Sequence, residues 1–79
     1  MSQERFKKVC EAFQSAFGTD PGAIRENSEP GDIPGWDSLG HVRLVAELEQ
    51  VFGTSFEVDE VMEMEDISAI LRLLAAKGY

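Results

Sequence analysis

A carboxylate, a hydroxyl and an imidazole stand close together in "GWDSLGH": Asp37, Ser38 and His41. These are the side chains of nucleophilic catalysis. On a helix they fall within little more than one turn, too close for the base to stand between the nucleophile and its orienting acid. No oxyanion pocket is evident either, so a triad is not the expected chemistry. His41 reads instead as a helix-surface residue, or one tucked at the edge of the preceding loop. Ser38 keeps a different opportunity. A helix N-terminus carries unsatisfied N–H groups and partial positive charge, and therefore stabilises a phosphate ester. With Asp37 as N-cap, the Ser38 hydroxyl occupies the first turn and faces solvent. Taken alone, an Asp-Ser pair ahead of an apolar helix is equally well read as ordinary capping.

Metal chemistry finds little to work with. Asp59, Glu60, Glu63, Glu65 and Asp66 make an acidic run without the glycine and ligand spacing of a calcium loop, so a solvated face is expected. One Cys and one His exclude a zinc site, and no metal site is expected.

The elements that would position Ser38 follow from periodicity. Residues 2–17 form a helix in which Phe6, Val9, Cys10, Phe13 and Phe17 make one apolar stripe, with Ser2 as N-cap and Gly18 as the stop. Cys10 lies in that stripe, which predicts a buried, inert thiol. Residues 18–37 contain all three prolines and four of the seven glycines, a composition that forbids a long helix or central strand. A connection of this length needs anchors, and Ile24, Ile33 and Trp36 are the apolar candidates. A short helical turn fits Pro21 to Ile24.

Residues 38–52 make the second helix, closed by Gly53. The stretch "TSFEVDEV" reads as an extended link anchored by Phe56 and Val58. "DEVMEM" is expected to make a short third helix capped by Asp59. Asp66 caps the last helix, whose stripe is Ile67, Ile70, Leu71 and Leu74. Lys77 sits favourably in its final turn, and Gly78 ends it. No segment alternates as strands do. The expected fold is all-α: a small four-helix bundle of three principal helices and one short one, with a long first loop, forming a single domain over residues 1–79.

The second helix is unusually apolar. Leu44, Val45, Leu48, Val51 and Phe52 share one side, and Leu39, Val42 and Ala46 an adjoining one. Together they exceed the arc of about 100° that a simple surface helix buries. Either the helix is central and covered from several sides, or Leu39, Val42 and Ala46 remain partly exposed as a contact strip.

Composition narrows the partners. The 79 residues carry 15 acidic and 7 basic side chains, a formal charge of −8. Nucleic acid and anionic membranes require clustered Lys and Arg, so neither is expected as a partner. An acidic domain is drawn to basic patches on other proteins, although charge that merely maintains solubility explains the balance equally well. A domain this small buries only about 60–65% of its unfolded surface, a thin core that ill suits a deep catalytic pocket. A lone cysteine, the absence of an apolar signal core in "MSQERFKK" and the lack of a membrane-length apolar run point to a cytoplasmic protein.

With these features in place, the sequence resembles the acyl carrier protein superfamily. The motif is Asp37-Ser38-Leu39 after a long glycine-containing loop, followed by "VRLVAELEQVFG". The resemblance extends over nearly the whole chain, including the first-helix length, the loop length, the short acidic third helix and the closing helix. It implies a non-enzymatic carrier bearing 4′-phosphopantetheine on Ser38, beside Asp37. The arm's thiol would hold an acyl or aminoacyl group as a thioester. A phosphopantetheinyl transferase (holo-synthase) would attach the arm from coenzyme A with magnesium. An acyl- or aminoacyl-activating ligase would load it, and acyl-transfer enzymes of fatty-acid, polyketide or related secondary-metabolite assembly would use it. The protein itself is expected to be a monomer.

The resemblance further implies that partners read the second helix, through apolar contacts at Leu39, Val42 and Ala46 and acidic ones at Glu47 and Glu49. Val61 and Met62 of the short third helix would border the space an acyl chain occupies, although ordinary core filling by a pliable side chain is at least as good a reading. His41 and Arg43 depart from the small polar and acidic residues usual in housekeeping fatty-acid carriers. The sequence "PGWDSLGH" is closer to specialised carriers, and peptide-synthetase carriers present a different approach to the serine. An unmodified helical interaction module, with Ser38 serving only the cap, is the alternative that residues alone leave open.

Overall fold

A computed structural model describes residues 2–79, with side chains from Gln3 onward. The capping side chain expected at Ser2 therefore lies outside the described residues. Four α-helices run in the order α1 (Ser2–Phe17), α2 (Ser38–Phe52), α3 (Val58–Glu63) and α4 (Ile67–Ala76), with 3-10 turns at Pro21–Ala23 and Pro30–Asp32. Among the described residues there is no strand. No helix among the described residues is long and apolar enough to cross a membrane.

Each boundary has a local cause. Asp37 is extended at φ −120° and accepts the Gly40 N–H at 2.8 Å, the geometry of an N-cap. Asp66 does the same for Ala69 at 2.8 Å. Gly53 closes α2 at φ 64°, a left-handed conformation that costs a residue with a Cβ more than it costs glycine. For α3 the expectation needs correcting. Its cap is Glu57 rather than Asp59, through a reciprocal box in which the Glu57 N–H meets Glu60 Oε1 at 2.8 Å.

The core draws on every long element. Val9, Ala12 and Phe13 of α1, Leu44 and Leu48 of α2, and Ile67, Ile70 and Leu74 of α4 are fully buried. Phe6, Phe17, Val45, Val51 and Leu71 pack partly buried around them. Cys10 is sealed in this core, and burial, followed by the nearby Glu11 charge, pushes its thiol pKa up.

The long loop is held by the anticipated anchors: Ile24, Ile33 and Trp36 are all buried. Its polar groups are satisfied locally, which is how an irregular segment tolerates burial. Asp20 accepts the Gly22 N–H at 3.0 Å and starts the first 3-10 turn. A Glu29–Asp32 capping box starts the second, within the stretch expected to be irregular. Ser28, a buried polar residue, takes the Arg25 N–H on its hydroxyl at 2.9 Å, and its carbonyl accepts the Ile67 N–H at 3.0 Å. The loop is thereby stitched to the start of α4.

The segment before α3 corrects a second expectation. Phe56 packs partly buried against the core, but Val58 is 72% exposed and anchors nothing. The six-residue α3 contains no fully buried side chain. Its link to α4 is electrostatic. Lys77, which the sequence placed in the last turn of α4, is its C-cap residue and pairs with Glu60 at 3.1 Å while lying 5.4 Å from the Phe56 ring centre. The Glu57 N–H first, and then the Lys77 ammonium, hold the Glu60 carboxyl below its usual pKa.

A folded-state pKa below the unfolded one means that Glu60 stabilises the fold above the ordinary glutamate value of about 4.3, and that this contribution is lost as pH falls through the lowered value. Glu60→Gln should accordingly be less stable than the parent at pH 7, with the difference disappearing in strong acid. Denaturant unfolding at several pH values checks this, and a pH-independent difference would contradict it.

Candidate functional site

Ser38 is the first residue of α2 and is exposed. Asp37 supplies the cap, so the Ser38 hydroxyl is free of that duty. The approach of the loop to this helix start depends on Gly40. A Cβ there would lie 1.8 Å from the Gly35 carbonyl oxygen and 2.9 Å from the Phe17 ring, so only glycine lets the two backbones meet. The Gly35 carbonyl also accepts the Asp37 N–H at 3.0 Å, fixing the cap residue from below.

Beside Ser38 an open groove of about 540 Å³ runs between the start of α2 and α3, lined among others by Trp36, His41, Val61, Met62 and Met64. Met62 is 73% exposed on its rim, whereas Met64, which ends α3 three residues before Ile67, is buried. The Trp36 indole N–H donates to His41 Nδ1 at 2.9 Å, and His41 Nε2 meets the Val61 carbonyl at 3.0 Å. Both imidazole nitrogens are thus committed away from Ser38, and the Asp37 carboxylate is committed to Gly40. The triad geometry set aside on spacing is replaced by this arrangement. His41 takes the tucked position rather than the helix surface. The signal for it was in the sequence, since 41, 44, 48 and 52 recur at core spacing and place His41 on the buried face of α2.

The apolar surplus of α2 stays on the surface. Leu39 is 85% and Val42 68% exposed, and Ala46 is also exposed. Helical spacing puts all three on one face below Ser38. Glu47 is half-buried and Arg43 exposed. Glu49 is half-buried, and its carboxylate accepts the Phe56 N–H at 2.9 Å, tying α2 to the link before α3.

This geometry has a counterpart among known proteins. The family described as "Phosphopantetheine attachment site" matches residues 7–74, and the chain belongs to it. Members carry covalently attached 4′-phosphopantetheine, and the carrier domain is not itself catalytic. The chain is also similar to the non-reducing polyketide synthase pkdA of Emericella nidulans, with 29% identity over 69 residues; these cover 87% of this chain and 3% of that protein. The residues present fit the prosthetic group. An exposed primary hydroxyl stands at a helix N-terminus, where phosphate is electrostatically favoured, next to a groove with apolar walls.

Proposed function

We propose that Ser38 is the attachment point of the arm, and that the domain carries acyl intermediates as thioesters from one enzyme to the next while catalysing nothing itself. In attachment, Ser38 Oγ forms the bond to the phosphorus that bears pantetheine in coenzyme A. The P–O bond to adenosine 3′,5′-bisphosphate breaks, and the serine proton passes to a base of the transferase. The observation that carries this reading is the division of labour at the helix start, with Asp37 as cap and Ser38 exposed. A tether of this kind holds its cargo at high effective concentration for each enzyme that docks the domain. The likeness to a polyketide synthase supports polyketide-type assembly as the setting. A phosphopantetheinyl transferase, an acyl-activating ligase and acyl-transfer enzymes are the partner classes.

Incubation with coenzyme A, magnesium and a promiscuous phosphopantetheinyl transferase, followed by intact mass measurement, tests the proposal. One stoichiometric addition supports it, and no addition favours the unmodified interaction module. Leu39, Val42, Ala46 and Met62 are the apolar contacts we assign to partners, with Glu47 the acidic one. Glu47→Lys should slow modification roughly fivefold, the effect of about 1 kcal/mol at an interface rim, with folding stability within about 0.5 kcal/mol of the parent. Normal modification of that variant would remove Glu47 from the docking surface.

A further inference from the structure

α3 has little packing of its own. It is six residues long with no fully buried side chain, and Val58 and Met62 are largely exposed. Polar ties hold it at two points. Glu60 meets Lys77, and the Val61 carbonyl meets His41. The second tie belongs to a continuous chain. An indole N–H can only donate and a carbonyl can only accept, so Nδ1 of His41 must be bare and Nε2 must carry the proton. The imidazole is thereby set as the neutral Nε2–H form. The two rings lie 14° from parallel with centroids 6.2 Å apart. Trp36 is itself fixed edge-to-face against Phe13, 4.9 Å between centroids and 81° between planes. The position of α3 is thus referred, through Trp36 and His41, to the buried face of α1.

His41 stands three residues after Ser38, on the helical neighbour position, and lines the same groove. The core that α2 and α4 contribute includes Leu44, Leu48 and Ile67, all fully buried. A chain passing from the groove between α2 and α3 would have to part the His41–Val61 bond and leave an N–H and a carbonyl unpaired.

Resting on the carrier reading of Ser38, we infer that His41 is a positioning residue that clamps α3 to α2, sets the width of the groove, and keeps the carried group on the surface of the domain rather than between its helices.

The experiment uses the full chain as parent, His41→Phe and His41→Gln. Phenylalanine keeps a ring but neither hydrogen bond, whereas glutamine restores one donor and one acceptor. In the unmodified proteins, hydrogen exchange at the Val61 and Met64 amides should accelerate about tenfold in His41→Phe, the change expected of one lost hydrogen bond, and stay near parental in His41→Gln. Emission from Trp36, the sole tryptophan, should shift in His41→Phe and be restored in His41→Gln.

Each chain is then charged from octanoyl-coenzyme A by a promiscuous transferase, and hydroxylamine cleavage of the thioester is followed. The parent should react close to the rate of free octanoyl-pantetheine, and His41→Phe about fivefold more slowly, because the opened cleft shelters the chain. Parental exchange in His41→Phe, or a parent thioester already as protected as that of the variant, overturns the inference. If no protein accepts the arm, the carrier reading fails while the exchange measurement still decides whether the clamp exists. Should His41→Phe not fold, His41→Asn, which reaches Trp36 but is too short for Val61, takes its place with the same expected acceleration.

Discussion

Ser38→Ala should abolish the coenzyme A-dependent mass addition completely while leaving the helical fold and its unfolding transition in place. The second half of that expectation makes the first informative. Replacing a true N-cap serine by alanine costs about 1 kcal/mol. Here the cap is the Asp37 carboxylate on the Gly40 N–H, and Ser38 is already the first residue inside the helix. Alanine is well tolerated at an exposed helical position, so the expected change in stability is within about 0.5 kcal/mol. Intact mass and thermal unfolding on the same sample separate the two roles. An adduct persisting in Ser38→Ala would place the attachment elsewhere, and a clear loss of stability would show that Ser38 also holds the helix start.

Trp36→Ala should be the most destabilising single change in the loop, costing about 3–5 kcal/mol in denaturant unfolding. That is a large share of the stability of any domain this size. Two losses combine. The buried ring leaves a void against Phe13, and His41 Nδ1 loses its donor. Trp36→Phe should recover most of the packing but not the hydrogen bond, and so fall between parent and alanine variant. An alanine variant as stable as the parent would contradict the anchoring role.

The helices, and the caps of α2 and α4, were legible in the sequence because they rest on short-range rules. Asp37, Asp66, Gly53 and the apolar stripes of α1 and α4 each need only neighbours a few residues away. Ile24, Ile33 and Trp36 were readable as anchors because apolar side chains in a Pro/Gly-rich loop have no other use. What escaped was pairing between segments and one competition between neighbouring local caps. Glu49 has the look of a surface acid on a helical wheel, and only the return of the chain at Phe56 turns its carboxylate inward. Val58 reads as an apolar anchor, but the capping box at Glu57 sets the start of α3 so that Val58 faces out. Asp59 was the nearer acidic cap by sequence, yet Glu57 and Glu60 satisfy each other's backbone N–H groups and move the helix start earlier. At the site, the exposure of Ser38, Leu39, Val42 and Ala46 could be read from motif and period. The partnership of Trp36 with His41 depends on the loop folding back over α2, which no spacing rule encodes.

The burial of Cys10 has a practical corollary for labelling. Because that sulfur is both walled off and kept protonated, an alkylating reagent applied at neutral pH should leave the apo chain untouched. A holo chain, by contrast, would offer the free end of its tether as the one accessible thiolate source. Maleimide uptake then becomes a direct titration of how many molecules carry an uncharged arm, with no background from the polypeptide to subtract.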